Sequence, residues 1–355
     1  MTSFTPSQVI AADLEAIVER GAGDFERLRG GRIFLTGGTG FVGSWLLETF
    51  AHANRRLGLG ARAIVLSRDA GAFAARAPHL AGDAAITFES GDVRDAHHIS
   101  GTFDAIVHAA TSSALGSEVS ADQTLETIVD GTRSVLQLAR RSGSIPFLLT
   151  SSGAVYGRQP PALERIDEAY LGGPDQLQTA YAYHEAKRLA ELSCAIESEA
   201  GGPRVKIARL FAFVGPYLPL DRHFAVGNFI GDVLAGRPIA VRGDGQAVRT
   251  YLYAGDLAAW LWRILIAGET GRAYNVGGDR AYSIAEAAHA VSEAGGRTSA
   301  VEITGSPTGA PPDRYVPSTL RARSELGLAE TVPFDDALRR TLDWQRAARA
   351  TKPSM

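Results

Sequence analysis

Apolar positions between Arg32 and Val276 follow two alternating patterns. Short unbroken runs at Ile33 to Leu35, Ala63 to Leu66, Ala85 to Phe88, Ala105 to His108, Pro146 to Thr150 and Val205 to Leu210 read as strands buried on both faces. Apolar residues at helical spacing predict helices over Phe41 to Ala53, Gln123 to Arg141 and Tyr181 to Glu199. Alternation of the two predicts an α/β fold, a doubly wound parallel sheet. Ahead of it, Thr5-Pro6-Ser7 is a helix start, and Val9, Ile10, Leu14, Ile17 and Val18 repeat at helical spacing. An N-terminal helical extension is therefore expected over residues 1–30, packed on the body or on a second subunit. After Gly215-Pro216 the pattern turns irregular, with Pro219, Gly227, Gly231, Gly236 and Pro238. This predicts a smaller lobe over residues 214–248 with 278–345. Residues 249–277, with a helix at Leu257 to Ile266 and a strand at Ala273 to Val276, return to the main domain, expected over 31–213 with 249–277. Ala70 to Ala85 is a small-residue stretch of low complexity.

Composition narrows the function. With 355 residues, 45% of them hydrophobic, the chain can bury a large core. Its 36 Lys and Arg against 39 Asp and Glu leave a net charge of −3 and no broad basic field, which argues against nucleic acid as a partner. A single cysteine, Cys194, excludes an internal disulfide and a cysteine-cluster metal site; on a helix beside Leu192 and Ala195 it reads as an inert buried thiol, and no metal site is expected. The acidic start of the chain, with Asp13, Glu15 and Glu19, lacks a signal-peptide core, and no uncharged run approaches a membrane span. A cytoplasmic protein with no membrane partner is expected. Apolar residues on more than one face of the helices at Gln123 to Arg141 and Tyr181 to Glu199 predict a homodimer.

Chemistry enters at Thr36-Gly37-Gly38-Thr39-Gly40-Phe41-Val42-Gly43, where a buried strand enters a glycine turn and leaves as a helix. Gly37 can take a backbone conformation closed to other residues, Gly40 allows close approach of a phosphate, and Gly43 lets the helix sit against the strand. The amides at the helix start, including those of Phe41 and Val42, then suit a dinucleotide pyrophosphate. At the end of the second strand, Ser67 stands where a carboxylate would take both ribose hydroxyls, and Arg68 can neutralise a 2′-phosphate. NADP(H) is therefore favoured, while Asp69 keeps NAD(H) possible. Asp92 and Val93 after the third strand are placed to hold the adenine edge, and the small Ala109 and Ala110 after the fourth permit close passage of the cofactor.

Tyr183 and Lys187 lie one helical turn apart, so an ammonium flanks a phenol and is expected to lower its pKa. Ser152, at the end of the fifth strand, can supply a hydroxyl to the reacting oxygen. With these residues in place the chain resembles the extended short-chain dehydrogenase/reductase family, and within it the NAD(P)-dependent nucleotide-sugar epimerase/dehydratase group. The resemblance is carried by TGGTGFVG at Thr36 to Gly43, GDV at Gly91 to Val93, HAA at His108 to Ala110, SSGAVYG at Ser151 to Gly157 and YHEAK at Tyr183 to Lys187. RLFAFVGP at Arg209 to Pro216, RTYLYAGDLA at Arg249 to Ala258 and YNVGG at Tyr274 to Gly278 extend it. It implies a Rossmann-like fold with a C-terminal substrate-binding lobe. It further implies Tyr183 as acid/base, Lys187 holding the cofactor ribose, and Ser152 binding the sugar oxygen. By the same resemblance Asn228, Arg249 and Arg314 would contact the diphosphate of a nucleotide-diphosphate sugar.

One departure separates activities within the family. Members that eliminate water across C5 and C6 of the sugar carry an acidic pair after the serine or threonine, whereas here Gly153 and Ala154 stand there. Neither moves a proton, so 4,6-dehydration is disfavoured. A C4 epimerase or 4-ketoreductase is expected, with Tyr156, His184 and His223 as candidates for a second acid/base. The alternatives are a non-sugar carbonyl reductase, which would not need Arg249 and Arg314, and an inactive dinucleotide-binding scaffold, which would not need Ser152, Tyr183 and Lys187.

Overall fold

A computed structural model of the chain describes residues 6–111, 119–222, 224–296, 299–307 and 309–350. The strand runs form β1 (Arg32–Thr36), β2 (Arg62–Ser67), β3 (Ile86–Ser90), β4 (Ala105–His108), β5 (Pro146–Ser152) and β6 (Arg204–Leu210). Then follow β7 (Phe213–Val214), β8 (Ile239–Val241), β9 (Val248–Thr250), β10 (Leu252–Tyr253), β11 (Arg272–Val276), β12 (Ala281–Ser283), β13 (Val301–Ile303) and β14 (Arg314–Tyr315). Among the described residues the main sheet has seven strands in the order β11-β6-β5-β4-β1-β2-β3, every pair parallel. This is the doubly wound arrangement that the pattern predicts.

Helices cover both faces: α1 (Pro6–Glu26), α2 (Phe41–Leu57), α3 (Ala70–Arg76), α4 (Pro78–Ala81), α5 (Ala121–Leu125), α6 (Gly131–Arg140), α7 (Ala182–Glu199), α8 (Ala225–Leu234), α9 (Ala254–Ala267), α10 (Ile284–Ala294), α11 (Leu320–Leu326) and α12 (Phe334–Ala350). A π-helical turn at Glu126–Asp130 joins α5 to α6, so the helix expected over Gln123 to Arg141 is present with one irregular turn. The small-residue stretch is folded too: Asp69 caps α3 by accepting from the Ala72 amide, and Phe73 and Leu80 are buried beneath it. Cys194 is buried in the core on α7, where burial pushes its thiol well above the usual range. No helix among the described residues is long and apolar enough to cross a membrane.

The N-terminal helix lies on the body. Ile10, Leu14, Ile17, Val18 and Phe25 of α1 are buried in the same core as α2, α9 and α12. Polar contacts fix its orientation: Tyr253 Oη donates to Asp13 Oδ2, Arg340 pairs with Asp13, and Arg263 Nη1 reaches Asp24 Oδ1 at 2.8 Å. Beyond the main sheet, β12-β9-β14 and β13-β8 form two small sheets; β9 (Val248–Thr250) lies in the first, so Arg249 and Thr250, expected in the main domain, pair with β12 and β14 instead. The chain leaves for those small sheets through Tyr217, a non-glycine residue with φ 72°, whose hydroxyl donates to buried Glu48 and whose ring lies 4.6 Å from that of Trp344. Those two contacts hold a backbone conformation that costs about 1–2 kcal/mol for an L-residue.

Ile17 is 3% exposed. Ile17→Ala should lower unfolding stability by about 2–5 kcal/mol in urea titrations; a loss below about 1 kcal/mol would mean that α1 is only laid on the surface.

Candidate active site

β1 and β4 are neighbours where the strand order reverses, and ligands of such sheets bind in the crevice at that point. The glycine turn is tight there. Gly37 has φ +71°, and a Cβ on it would lie 2.5 Å from the carbonyl carbon and oxygen of Ala109. A Cβ on Gly43 would lie 2.2 Å from the Gly37 carbonyl oxygen. Gly40, by contrast, has only that carbonyl oxygen within reach, at 3.4 Å, and is the N-cap of α2 with no side-chain cap. The amides of Phe41 and Val42 in the first turn are left for an outside acceptor, which fits a pyrophosphate. Beneath the turn, Thr36 Oγ1 accepts from the Ala110 amide and bonds His108 Nδ1 at 2.7 Å, while His108 Nε2 meets Thr132 Oγ1 at 3.0 Å. Burial lowers His108 to about 3, so it is a neutral strut between the two strand ends.

The residues expected to hold the nucleoside lie at the end of β2 and after β3. Ser67 is buried and its Oγ accepts from the Asp69 amide at 3.2 Å. Asp69 is engaged as the cap of α3, and Arg68 is exposed. Asp92 is held by Arg94, whose Nε donates at 2.9 Å, and this pair keeps its carboxyl below the usual range; Val93 beside it is buried. Arg76, which the sequence pattern did not single out, donates to the Thr39 carbonyl of the glycine turn at 2.5 Å and lies over the Phe73 ring.

Ser152, Tyr183 and Lys187 come together at the C-terminal end of β5. Lys187 is 2% exposed and donates to the Thr150 carbonyl at 2.9 Å, with its ammonium 5.9 Å from the Tyr183 ring centre. One of its three N–H groups is thus engaged, leaving donors for a ribose. Burial lowers Lys187 to about 8, partly offset by Glu191. Tyr183 differs from expectation. Burial raises its phenol, hydroxyls from Ser152 and Thr111 act the other way, and Lys187 is not among the causes. Burial thus opposes ionisation of the phenol, and neighbouring hydroxyls offset it only in part. Thr111 Oγ1 is buried and no hydrogen bond satisfies it fully, so its effect on Tyr183 is smaller than that of Ser152.

The lobe adds a residue that sequence reasoning missed. Tyr315 Oη lies 3.3 Å from Ser152 Oγ and 3.3 Å from the Leu210 carbonyl, and its ring is 4.5 Å from that of Phe211. Its register explains the placement: on β14 Tyr315 pairs with Arg249 of β9, and Arg314 pairs with Val248. Arg249 lies over the Tyr315 ring at 5.9 Å, its guanidinium held by Asp313 at 2.7 Å. Arg314, one residue out of phase, leaves the small sheet on the opposite face. The two arginines are thus on adjacent strands without sharing a face. Asn228 is exposed on the first turn of α8.

The candidates for a second acid/base separate. Tyr156 donates to Asn275 Oδ1 at 2.8 Å and accepts from Arg209 at 2.9 Å, a structural network whose burial pushes the phenol up to about 12. His184 stands edge-on to the rings of Tyr181 and Tyr183, its pKa lowered by burial and its Nδ1 without a partner. His223 lies outside the described residues.

This assembly, a dinucleotide crevice with a Ser-Tyr-Lys cluster at its mouth and a lobe above, defines an oxidoreductase-like Rossmann protein. A sequence profile of the NAD dependent epimerase/dehydratase family matches residues 33–277, and the chain belongs to that family. It is 29% identical over 310 residues to UDP-glucuronic acid decarboxylase 1 of Arabidopsis thaliana, covering 87% of this chain and 68% of the relative. UDP-glucuronic acid decarboxylase 4 of the same plant is 30% identical over 308 residues, covering 86% and 67%. Among solved structures, DesIV, a dTDP-glucose 4,6-dehydratase from Streptomyces venezuelae with NAD bound, is 26% identical with a TM-score of 0.75, covering 90% of this chain and 98% of that one. The UDP-glucuronic acid 4-epimerase of Bacillus cereus, solved with UDP-glucuronic acid and NAD, has a TM-score of 0.76 at 20% identity over 89% and 99%, a likeness of fold.

Proposed function

We propose that the protein oxidises or reduces C4 of a nucleotide-diphosphate sugar, as a C4 epimerase or a 4-ketoreductase. The observation that carries this reading is the meeting of Ser152, Tyr183 and Lys187 at the end of β5 with Gly153 and Ala154 beside them. In the oxidative direction Tyr183 takes the C4 hydroxyl proton, Ser152 holds the same oxygen, and Lys187 favours the phenolate and holds a ribose. The chemistry that a bound nicotinamide would supply is hydride acceptance from C4, or its return. Arg249, facing the site with Tyr315, is the first candidate for the diphosphate, with Asn228 and Arg314 at the lobe's outer side.

The relatives supply a second reading. A sugar oxidised at C4 that carries a C6 carboxylate is a β-keto acid and loses carbon dioxide without an acid at position 153, so this site is compatible with decarboxylation as well. Dehydration needs the proton-moving pair that Gly153 and Ala154 lack. Product analysis with UDP-glucose, UDP-glucuronic acid and dTDP-glucose separates these outcomes: a C4 epimer, a pentose with one carbon fewer, or a 4-keto-6-deoxy sugar, the last overturning the proposal. Tyr183→Phe should abolish turnover while leaving cofactor affinity within a few-fold; substantial residual activity would move the role elsewhere.

For the cofactor we propose NADP(H). Arg68 is exposed beside Ser67, Asp69 is spent on its helix cap, and Arg76 brings a second guanidinium to the glycine turn. A 2′-phosphate paired with guanidinium gains about 1.5–3 kcal/mol, or roughly one to two decades in affinity. Arg68→Ala should weaken NADP(H) by that factor and leave NAD(H) nearly unchanged in titrations; equal loss for both would assign the choice to another residue.

The same reading includes a homodimer. On the helix from Ala121 to Arg140 the exposed positions are polar, but α7 presents Leu189, Leu192 and Ile196 to solvent at 38%, 55% and 57% exposure. These three share one helix face. Sedimentation at micromolar concentration should show a dimer that Leu192→Glu weakens, and a wild-type monomer would reject it.

A further inference from the structure

Position 153 has no side chain, yet its space is filled. A Cβ on Gly153 would lie 2.6 Å from Phe211 Cζ and 2.8 Å from Tyr315 Oη. The phenol that fills this space comes from the lobe and reaches the hydroxyl of Ser152. Ser152 Oγ already accepts from the Ala154 amide at 3.1 Å, and its hydroxyl acts on Tyr183 in the direction of the phenolate. Three hydroxyls, Tyr183, Ser152 and Tyr315, are therefore grouped with Ser152 in the middle.

We propose that Tyr315 is a positioning residue for proton transfer: acting through Ser152, it stabilises the ionised form of Tyr183 from the place where residue 153 has no side chain. The inference rests on the reading of Tyr183 as the group that moves the proton.

The geometry allows two arrangements of the same hydroxyls. With Tyr183 neutral, its proton points at Ser152, the Ser152 proton at Tyr315, and the Tyr315 proton at the Leu210 carbonyl, which can only accept. When Tyr183 is ionised the chain reverses. Tyr315 gives up the carbonyl and donates to Ser152, and Ser152 donates to the phenolate. Ser152 Oγ then receives two donors, the Ala154 amide and the Tyr315 hydroxyl, and donates more strongly for it. Tyr315 can do this because it keeps its own proton: burial pushes its phenol well above the usual range, and a charge on Tyr183 pushes it further. Among the described residues, the charged or titratable groups facing this chain are Lys187 beside Tyr183, His184 edge-on to the Tyr183 ring at 6.0 Å, and Arg249 over the Tyr315 ring with Asp313 behind it. Arg249 favours the ionised form of Tyr315, against the larger effect of burial, and Lys187 does not offset the burial of Tyr183. His184 is held toward its neutral form by burial. None of these touches Ser152 as Tyr315 does.

The test is a titration of the whole protein labelled with [13Cζ]tyrosine, followed by NMR from about pH 8 to about pH 11.5, with Tyr183→Phe identifying the resonance. Tyr315→Phe should raise the Tyr183 midpoint by about half a unit to one unit, and the acidic limb of the kcat/KM profile should move up with it while KM changes less than twofold. Gly153→Ala, whose methyl displaces the Tyr315 hydroxyl without removing it, should shift the midpoint in the same direction. An unchanged midpoint in both variants overturns the proposal, as does a lower melting temperature with no shift, which would make Tyr315 a packing residue. If the midpoint moves as expected but no nucleotide sugar is turned over, the coupling stands and the proposed reaction fails. If sugars are turned over and the midpoint stays fixed, the reverse holds.

Discussion

Two strand ends and a helix start meet at a point where no side chain fits. Gly37 is packed on the Ala109 carbonyl, and Gly43 is packed on Gly37. Any residue larger than glycine at either position would separate β1 from β4 or lift α2 off the sheet. Everything downstream depends on that closeness: the uncapped amides of α2 point into the crevice because the helix starts so near the strand, and the Thr36-His108-Thr132 chain locks the two strands at their tips. Cofactor geometry in such a sheet is fixed by backbone contact before any side chain is counted.

The site above that point is short of water and of compensating charge. Lys187 and His108 are buried and shifted down, and Tyr183 is shifted up, all by the same cause, loss of hydration. Each shift favours the neutral form. A buried acid and a buried base that both resist charge make a cluster poised for proton transfer rather than for binding an ion, because the charged states become accessible only together with a ligand that supplies charge or donors.

Much of this was legible in the sequence. The buried strands of the sheet are near-continuous apolar runs, and their boundaries hold to within a residue or two, since a strand covered on both faces has no polar positions to blur the pattern. Ser152, Tyr183 and Lys187 were also readable, because a helical turn and a strand end are local geometry. What was not readable is tertiary. Tyr315 reaches Ser152 from a two-residue strand whose pairing is set by β9, more than sixty positions away, and nothing local marks it. The lowered Tyr183 pKa failed as an expectation because spacing places a cation near a phenol but says nothing of how much water both have lost. Arg249 and Arg314 were read as a pair from the resemblance, and register alone separates their faces.

That register has a consequence for how such a site can change over time. β14 is held to β9 by two residue pairs, so its alignment is set by few bonds and by the length of the chain that precedes it. Side chains alternate along a strand, so a slip of one residue would turn Tyr315 away and bring Arg314 to Ser152 in its place. A single inserted residue before Arg314 would exchange a neutral hydroxyl for a permanent cation beside Ser152, and a single deleted one would put the apolar Val316 there. Small changes in loop length, with no substitution at the site, are thus a route by which one scaffold can be moved between chemistries.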